Sequence, residues 1–336
     1  MNALSKYTTL GVGGPATRIV HARSEEELIT AIKSADEAGE PVLILGGGSN
    51  VLISDSGFNG SVILVESKGN SYEIDACSGG MLQVSAGDNW DEFVAFTIEK
   101  GLANLESLSG IPGTIGGAPI QNIGAYGHEV SEVIARVRSY DRVEKKIITF
   151  AATDCEFSYR NSKFKKEAGR YVILDVTFQL RRGTQSLPIM YDELAKELGV
   201  TVGSRVDTSL VRSAVLKLRK KKGMLEGEVA SAGSFFTNPI VSAEVAANLP
   251  PSAPRWPQSD GRVKTSAAWL MESAGIHKGD TSGGASISSM HVLALSNAGT
   301  ATAEDIATLA RKARAKVQEV FGITLEPEVQ FVGIEL

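Results

Sequence analysis

The sequence predicts an α+β protein with more than one domain, and three observations support this. The chain has 336 residues, more than one hydrophobic core usually organises, so two or three domains are expected. Residues 171–180 alternate apolar and polar side chains, as in a half-buried strand of an antiparallel or mixed sheet. Residues 24–39 and 302–322 carry helix-capping signals around apolar stripes, which is typical of helices packed on a core.

The bulk composition excludes several classes of protein. Hydrophobic residues make up 43% of the chain and charged residues 22%, so a large core is available and disorder is not expected. A net charge of −5 argues against a general nucleic-acid binder. The chain starts without the apolar core of a secretory signal, and no stretch approaches the roughly 20 apolar residues of a membrane span. A cytoplasmic protein without membrane contact is therefore expected.

Cysteine and histidine spacing gives no sign of a metal site. Cys77 and Cys155 are far apart in the sequence, so two isolated and reduced thiols are expected. The histidines are scattered without ligand spacing, and no metal is predicted; they are His21, His128, His277 and His291.

The first 66 residues alternate strands with one helix. Ser24 and Glu27 form a capping-box start, and Gly39 ends the helix. The apolar run at 41–45 predicts a fully buried strand that leads into the glycine turn of 46–50. Further strands are predicted at 51–53 and 61–65.

The rest of the chain shows helix caps and one hairpin. Asp88 is predicted to cap a helix over 90–100, and residues 133–150 read as a hairpin with a charged turn. Thr302 caps the clearest helix, with Asp305 at the box position. Other helices are predicted at 191–198, 208–222 and 266–274, and a final strand in the tail should join an existing sheet. The buried side of 208–222 is predicted to contain Leu210, Val211, Ala214, Val215 and Leu218.

The chain is organised around residues 105–127, LESLSGIPGTIGGAPIQNIGAYG. This stretch contains six glycines and two prolines and is almost uncharged, so neither a regular helix nor a central strand suits it. Its buried amides need partners, which a ligand rich in acceptor oxygens would provide. A glycine-rich structural crossover is the alternative. If residues 105–127 do bind a ligand, they and Gly46–Asn50 would form two phosphate-binding segments, which suits a ligand with a long diphosphate linker.

Three polar residues stand in apolar or aromatic surroundings and are candidates for chemistry. Arg160, in YRNS, could grip a carboxylate with two hydrogen bonds, or it could belong to a solvated turn. Ser234, in AGSFFTNP, could transfer a proton, although no GxSxG surrounds it; a plain turn is the alternative. Glu328 lies on the predicted final strand, facing either solvent or a site. The basic run of 217–222 is either a solvated helix end or a diphosphate contact.

Taken together, these segments resemble the UDP-N-acetylenolpyruvoylglucosamine reductase family, whose members use FAD and NADPH. The resemblance runs in order from residue 9 to about 332. The matching stretches are TLGVGGPA, LGGGSNVLISD, SGIPGTIGGAPIQNIGAYG, YRNSKF, SAGSFFTNP, the helix around AAWLMESAG, and LEPEV. The glycine turn alone is shared with a broader group of flavin enzymes.

The resemblance implies a three-part α+β architecture with a vanillyl-alcohol-oxidase-type FAD-binding unit. The first subdomain would comprise residues 1–66, with the C-terminal strand of 324–336 returning to it. The second FAD-binding subdomain would be 67–214, and the substrate-binding domain 215–323. The family's longer subclass has a loop with a tyrosine that closes over the substrate diphosphate, and Pro188 to Leu198 with Tyr191 is similar to it.

The resemblance also implies roles for individual residues. Arg160 would bind the enolpyruvyl carboxylate, Ser234 would be the general acid, and Glu328 would lie near the same group. FAD would contact Gly46, Gly47, Gly48, Ser49, Asn50, Ser109, Gly110, Pro112, Gly113, Thr114, Gly117, Gln121, Asn122, Gly124 and Ala125. The UDP-sugar would contact Tyr126, Tyr191, Arg219, Lys222 and Asn238. Because the chain has LRKKKGMLEG where KLPDP is usual, Arg219, Lys221 and Lys222 are alternative diphosphate contacts.

The implied reaction reduces an enolpyruvyl ether of a UDP-sugar. Hydride would pass from NADPH to the flavin and then to C3 of the double bond, while Arg160 stabilises the developing charge and Ser234 protonates C2. A monomer is expected. Another flavin oxidoreductase of the same fold is an alternative, weakened because residues 40–60 contain no His or Cys for a covalent flavin. A non-catalytic flavin or nucleotide sensor is the third possibility.

Overall fold

The computed structural model describes residues 2–75, 79–225, 227 and 229–336. Cys77 lies outside these residues, whereas Cys155 is a buried free thiol. The helices are α1 (Glu25–Glu37), α2 (Trp90–Glu99), α3 (Lys163–Lys166), α4 (Asp192–Leu198), α5 (Thr208–Lys221), α6 (Ala243–Ala247), α7 (Ala267–Ser273) and α8 (Ala303–Phe321). The strands are β1 (Ala16–Ala22), β2 (Val42–Leu45), β3 (Val51–Ile53), β4 (Phe58–Val65), β5 (Asn70–Asp75), β6 (Gly79–Ser85), β7 (Leu102–Ala103), β8 (Gly124–Ala125), β9 (His128–Glu129), β10 (Ile134–Asp141), β11 (Lys146–Ala151), β12 (Tyr171–Arg182), β13 (Ile240–Val241), β14 (Arg255–Pro257), β15 (Val263–Thr265), β16 (Thr281–Ser282), β17 (Ala285–Ile287), β18 (Leu295–Asn297) and β19 (Gln330–Val332).

A small parallel sheet in the order β1-β4-β2 opens the chain, with α1 packed beside it. Ser24 caps α1 as predicted and accepts a hydrogen bond from the Glu27 N–H. The reciprocal bond differs from the prediction, because the Glu27 carboxylate accepts from the N–H of Arg23 instead of Ser24. The strand predicted at 41–45 is confirmed as β2, but it is not fully buried. Its residues 42–44 are half-buried because β2 is an edge strand that lines a cleft.

The central sheet is antiparallel, in the order β11-β10-β12-β6-β5, and β7 also pairs with β12. The predicted hairpin is confirmed by the pairing of β10 with β11. The prediction that 171–180 is half-buried was wrong for most of β12, because both faces are covered from Val172 to Phe178 and, on the predicted polar face, Gln179 is exposed. Asp175 and Thr177, on the polar face, are each only 5% exposed. Asp175 accepts hydrogen bonds from Gln83 and Arg138, and Arg138 also pairs with Glu25 of α1.

Two helices differ in detail from the sequence-based expectation. Asn89, not Asp88, caps α2 and accepts from the Glu92 N–H, while the Asp88 carboxylate accepts from the Gly69 N–H. In α5, Leu210 is 56% exposed rather than buried. The other four predicted stripe residues, Val211, Ala214, Val215 and Leu218, are buried against residues of the α4 segment.

The last third of the chain packs around α7 and α8, with two small antiparallel sheets. The capping box of Thr302 and Asp305 is confirmed, and Gly322 ends α8 with φ of +66°. The core of this part also takes in Leu10 and Leu52 from the first 66 residues. The tail strand is confirmed as β19, which pairs in parallel with β3 and so returns to the start of the chain. It begins only at Gln330, so the prediction that Glu328 lies on this strand was wrong, and Glu328 precedes it by two residues.

Two further observations concern the organisation of the whole chain. The expected boundary after residue 214 falls inside α5, which packs as a unit with Ile189, Leu194 and Ala195. In the part of the chain that the structure describes, no helix combines the length and the apolar character that crossing a bilayer requires.

Candidate active site

One cleft gathers segments that are distant in sequence. Residues 42–51 form one wall and residues 111–124 another. The side chains of Arg160, Ser234 and Glu328 also line the cleft. The cleft therefore unites the glycine turn, the organising segment and the three residues that were candidates for chemistry.

The two glycine-rich walls present backbone amides without partners. Among the described residues, none of the N–H groups of 46–50 donates a hydrogen bond, and the same holds for Ile111, Gly113 and Thr114. Gly46 and Gly47 are exposed to the cleft. Unpaired N–H groups on a concave surface form an anion site, so this wall can bind a phosphate ester.

Glycine is required in this wall because the chains approach closely. Gly48 has φ of +61°, and a Cβ there would lie 1.8 Å from the carbonyl oxygen of Tyr7. A Cβ on Gly46 would lie 2.5 Å from Oγ1 of Thr114. The two walls are also tied together by side chains, since Asn50 Nδ2 donates to Gln121 Oε1 at 2.6 Å and to the Glu328 carbonyl at 3.1 Å. Side chains larger than hydrogen at these glycines would displace the walls.

Arg160 is held in a strained position that points its guanidinium into the cleft lining. It has φ of +52°, in the left-handed region, at the tip of a tight turn closed by two hydrogen bonds between Ser158 and Asn161. Its Nη2 donates to the Gly124 carbonyl at 2.6 Å, and its Nε lies 2.8 Å from Oε1 of Glu328. Such strain is often retained at functional sites, where surrounding contacts over-determine the conformation.

Ser234 and Glu328 are placed together by backbone pairing of their segments. The Glu328 N–H donates to the Phe235 carbonyl at 2.8 Å, and the Thr237 N–H donates to the Glu326 carbonyl at 3.0 Å. The Ser234 hydroxyl is half-buried and has no hydrogen-bond partner among the described residues, so it is available to a ligand. Burial raises the pKa of Glu328, and the charges of Arg160 and Lys165 oppose that rise.

Two lysines add positive charge beside Arg160, and sequence reasoning missed both. Lys165 donates from Nζ to the Arg160 carbonyl at 3.1 Å, and Lys264 Nζ lies 4.8 Å from the ring centre of Tyr159. Burial lowers the pKa of each lysine. Lys165 follows the YRNS motif and could have been suspected, whereas nothing in the sequence around Lys264 signals a role. The group favours an anionic ligand.

Of the residues expected to contact a UDP-sugar, only Arg219 belongs to the cleft lining as far as the structure describes it; Tyr126, Tyr191, Lys222 and Asn238 do not. The rings of Tyr126 and Tyr191 are 5.9 Å apart and nearly perpendicular, and burial raises the pKa of Tyr126 to about 12. Arg219 lines the cleft and donates from Nε to the Gly110 carbonyl at 2.9 Å. Lys222 pairs with Glu193 at 2.5 Å, and the alternative Lys221 pairs with Glu197.

Some predicted contact residues do not belong to the cleft lining. Asn238 accepts on Oδ1 from the Ala267 N–H at 2.9 Å, at the start of α7. Ser109 and Asn122 are fully buried, and their side chains bond to Glu106 and Glu129. Four residues expected to contact FAD are absent from the cleft lining: Ser109, Gly110, Asn122 and Ala125. These residues hold the shape of the organising segment.

Comparison with known families defines the class of protein first. Residues 16–146 match the FAD binding domain family, and residues 225–332 match the C-terminal domain of UDP-N-acetylenolpyruvoylglucosamine reductase. Together with the unpaired amides of the cleft, the first match makes this an FAD-binding protein of α+β class, as predicted.

Relatives over the full length then identify the family. The chain is 52% identical to the UDP-N-acetylenolpyruvoylglucosamine reductase of Cutibacterium acnes over 98% of its own length and 89% of that protein. It is 48% identical to the reductase of Thermobifida fusca, covering 99% of the chain and 97% of the relative. The crystal structure of the reductase of Thermus caldophilus superposes with a TM-score of 0.68 at 27% identity, covering 98% and 97%. The chain belongs to the UDP-N-acetylenolpyruvoylglucosamine reductase family.

Proposed function

We propose that the protein reduces UDP-N-acetylglucosamine enolpyruvate to UDP-N-acetylmuramate, using FAD and NADPH. The observation that carries this proposal is the meeting of Arg160, Ser234 and Glu328 in one cleft with the glycine-rich walls. The reaction belongs to peptidoglycan precursor synthesis, and thereby to cell-wall formation, cell shape and division. We further propose that the protein works in the cytoplasm as a monomer.

The cleft has the chemistry that FAD requires. The free N–H groups of 46–50 suit its diphosphate, and the half-buried apolar side chains of 42–44 suit a ring system beside them. Gly113, Thr114, Gly117, Gln121 and Gly124 line the opposite wall. When bound, FAD supplies hydride transfer between NADPH and C3 of the enolpyruvyl double bond.

Arg160, Glu328 and Ser234 act on the enolpyruvyl group. Arg160 binds its carboxylate and stabilises the negative charge that develops there, and a preorganised donor of this kind contributes about 3–4 kcal/mol. Glu328 orients Arg160 through the 2.8 Å ion pair. Ser234 donates a proton from Oγ to C2, and the positive charge of Arg160 and Lys165 stabilises the alkoxide that remains.

The UDP-sugar extends from this centre toward Tyr126 and Tyr191. Arg219 is favoured over Lys221 and Lys222 as the diphosphate contact, because it lines the cleft while both lysines are paired with glutamates of α4. The amide nitrogen of Asn238 remains available to substrate, since only its oxygen serves α7. The three-part division is retained as a proposal, with the second boundary moved beyond the end of α5.

Stopped-flow absorbance of the purified FAD-bound protein tests the proposed function. NADPH should bleach the flavin, and UDP-N-acetylglucosamine enolpyruvate should then restore its absorbance under anaerobic conditions. If oxygen or the carbonyl product of an alcohol restores the flavin absorbance and the UDP-sugar does not, the protein is a different flavin oxidoreductase. No bleaching by NADPH or any other reductant substrate would indicate a binding protein.

A further inference from the structure

Two chain segments run side by side close to Arg219, which lines the cleft. One contains residues 126–128 and the other residues 188–191. The rings of Tyr126 and Tyr191 are in contact, and a Cβ on Gly127 would lie 2.8 Å from Cβ of Met190. His128 Nε2 lies 3.1 Å from the Pro188 carbonyl oxygen. The position of Tyr191 therefore depends on contacts made by the segment that follows Tyr126.

The surroundings of His128 define its protonation. Its Nδ1 lies 3.0 Å from Oε2 of Glu132, and its Nε2 faces the Pro188 carbonyl. A carboxylate and a carbonyl only accept hydrogen bonds, so both ring nitrogens must donate. The His128 side chain is only 9% exposed, so water has little access to its ring nitrogens, although the Glu132 carboxylate itself is 41% exposed. The contacts seen here require an imidazolium.

The charges around His128 favour that form. Burial alone would lower its pKa, but hydrogen bonds to Glu132 and to the Pro188 carbonyl, with the charges of Glu132 and Glu106, outweigh burial and raise it above the ordinary 6.5. Glu132 comes from the same segment, and Glu106 from the opposite 3-10 turn. Glu106 also accepts the Leu187 N–H at 2.9 Å, so it tethers the same loop from its other side.

We propose that protonated His128 is a positioning residue that holds Tyr191 against Tyr126 for binding of the UDP-sugar. The assignment of Tyr191 to the UDP-sugar rests on the proposed function. A neutral imidazole has one N–H, and the Glu132 carboxylate is a stronger acceptor than the Pro188 carbonyl, so the proton stays on Nδ1 and the Pro188 carbonyl loses its donor. We call the hydrogen bond from His128 Nε2 to the Pro188 carbonyl the latch. Because the pKa of His128 is raised in the folded protein, the latch is fully present below about pH 6.5 and is lost as pH rises through the raised pKa.

Two substitutions separate the hydrogen bond from the charge. H128Q keeps an N–H donor near the position of Nε2 but cannot titrate, whereas H128N places its donor near Nδ1 and leaves the Pro188 carbonyl without a partner. The KM for UDP-N-acetylglucosamine enolpyruvate in the wild type should rise about tenfold between pH 6 and pH 9, the effect of one lost hydrogen bond to a charged group. H128Q should lose this pH dependence, and H128N should show the raised KM at every pH.

The control variant is H277Q, which replaces an exposed histidine beyond α7. It should keep the wild-type pH profile. The rate of flavin reduction by NADPH should be unchanged in all three variants. An unchanged KM in H128N, or an equal rise in H128Q and H128N that does not vary with pH, would overturn the proposal.

Amide hydrogen exchange in the full-length, FAD-bound protein provides a readout that does not depend on activity. The Ile189 N–H donates to the Ser204 carbonyl at 2.9 Å and reports on the loop. After correction for intrinsic rates, its protection in the wild type should fall as pH rises, and H128N should lack that protection at pH 6. Constant protection across pH would refute the latch even if H128N did not fold. Absence of UDP-sugar reduction by the wild type would instead refute only the proposed function.

Discussion

Replacing Arg160 by methionine separates the contribution of this residue to folding from its contribution to catalysis. The Arg160 and Glu328 side chains are 19% and 14% exposed, and their nearest charged atoms are 2.8 Å apart. Removing one partner of a buried ion pair typically costs about 3–5 kcal/mol, because the other charge is left uncompensated. Since the cleft keeps both groups partly hydrated, R160M should lower the free energy of unfolding by about 3 kcal/mol, near the low end of that range.

The loss of catalytic rate in R160M has a different origin from the loss of stability, and the two can be measured separately. Loss of one preorganised donor should slow reoxidation of the reduced flavin by the UDP-sugar by about 10²–10³-fold, while reduction by NADPH stays near the wild-type rate. The double variant R160M/E328Q removes the uncompensated carboxylate, so it should recover most of the stability but none of the activity.

Urea unfolding and stopped-flow absorbance supply the two readouts, with R262M as the control. Arg262 pairs with Asp260 on the surface, so its loss should change the free energy of unfolding by less than about 1 kcal/mol and leave both half-reactions intact. Recovery of the oxidative half-reaction in R160M/E328Q would refute the role given to Arg160. Equal slowing of both half-reactions in R160M would refute it as well.

Three further substitutions test the site and its supports. S234A should leave flavin reduction by NADPH intact and slow the oxidative half-reaction by about 10²–10⁴-fold, and equal slowing of both would rule out Ser234 as the acid. G48A should weaken FAD binding measured by flavin fluorescence, because the new Cβ would strike the Tyr7 carbonyl. G39A is the control: Gly39 also has a positive φ, +66°, but a Cβ there would have no atom within 4 Å, so this variant should lose about 1 kcal/mol of stability and retain FAD. D55A should lower the free energy of unfolding by about 1–2 kcal/mol in urea, since the Asp55 carboxylate accepts from the N–H groups of Ala303 and Glu304 at the start of α8, in addition to the Thr302 cap. An unchanged midpoint would show that these two hydrogen bonds add nothing.

Local signals were sufficient to predict several elements. The Thr302 and Asp305 box, the Gly322 stop and the hairpin around 141–146 each depend on a few neighbouring residues, and all appear in the structure. Adjacent signals were harder to separate. Asp88 and Asn89 are both good helix caps, and the structure uses Asn89 for α2 because Asp88 instead accepts from Gly69.

Features that depend on distant partners could not be predicted from one sequence. Asp175 on the polar face of β12 is buried because Arg138 links it to Glu25 of α1, and Arg138 and Glu25 are 113 positions apart in the chain. The exposure of Leu210 depends equally on what packs beside α5.

The site shows the same limit. Arg160, Ser234 and Glu328 are candidates from the sequence alone, but each also has a plain structural reading, and only the family resemblance assigns their roles. The bond between Asn50 and Gln121 spans 71 positions, and no sequence pattern announces it. His128 was set aside as an isolated histidine, because its carbonyl partner Pro188 lies 60 positions away.

A crystal structure of the protein with FAD and UDP-N-acetylglucosamine enolpyruvate tests the central claim most directly. The FAD diphosphate should accept hydrogen bonds from the N–H groups of 46–50, with the enolpyruvyl carboxylate on Arg160 and its C2 within reach of the Ser234 hydroxyl. FAD bound elsewhere, or a flavin separated from Arg160 and Ser234 by the protein's own side chains, would contradict the account.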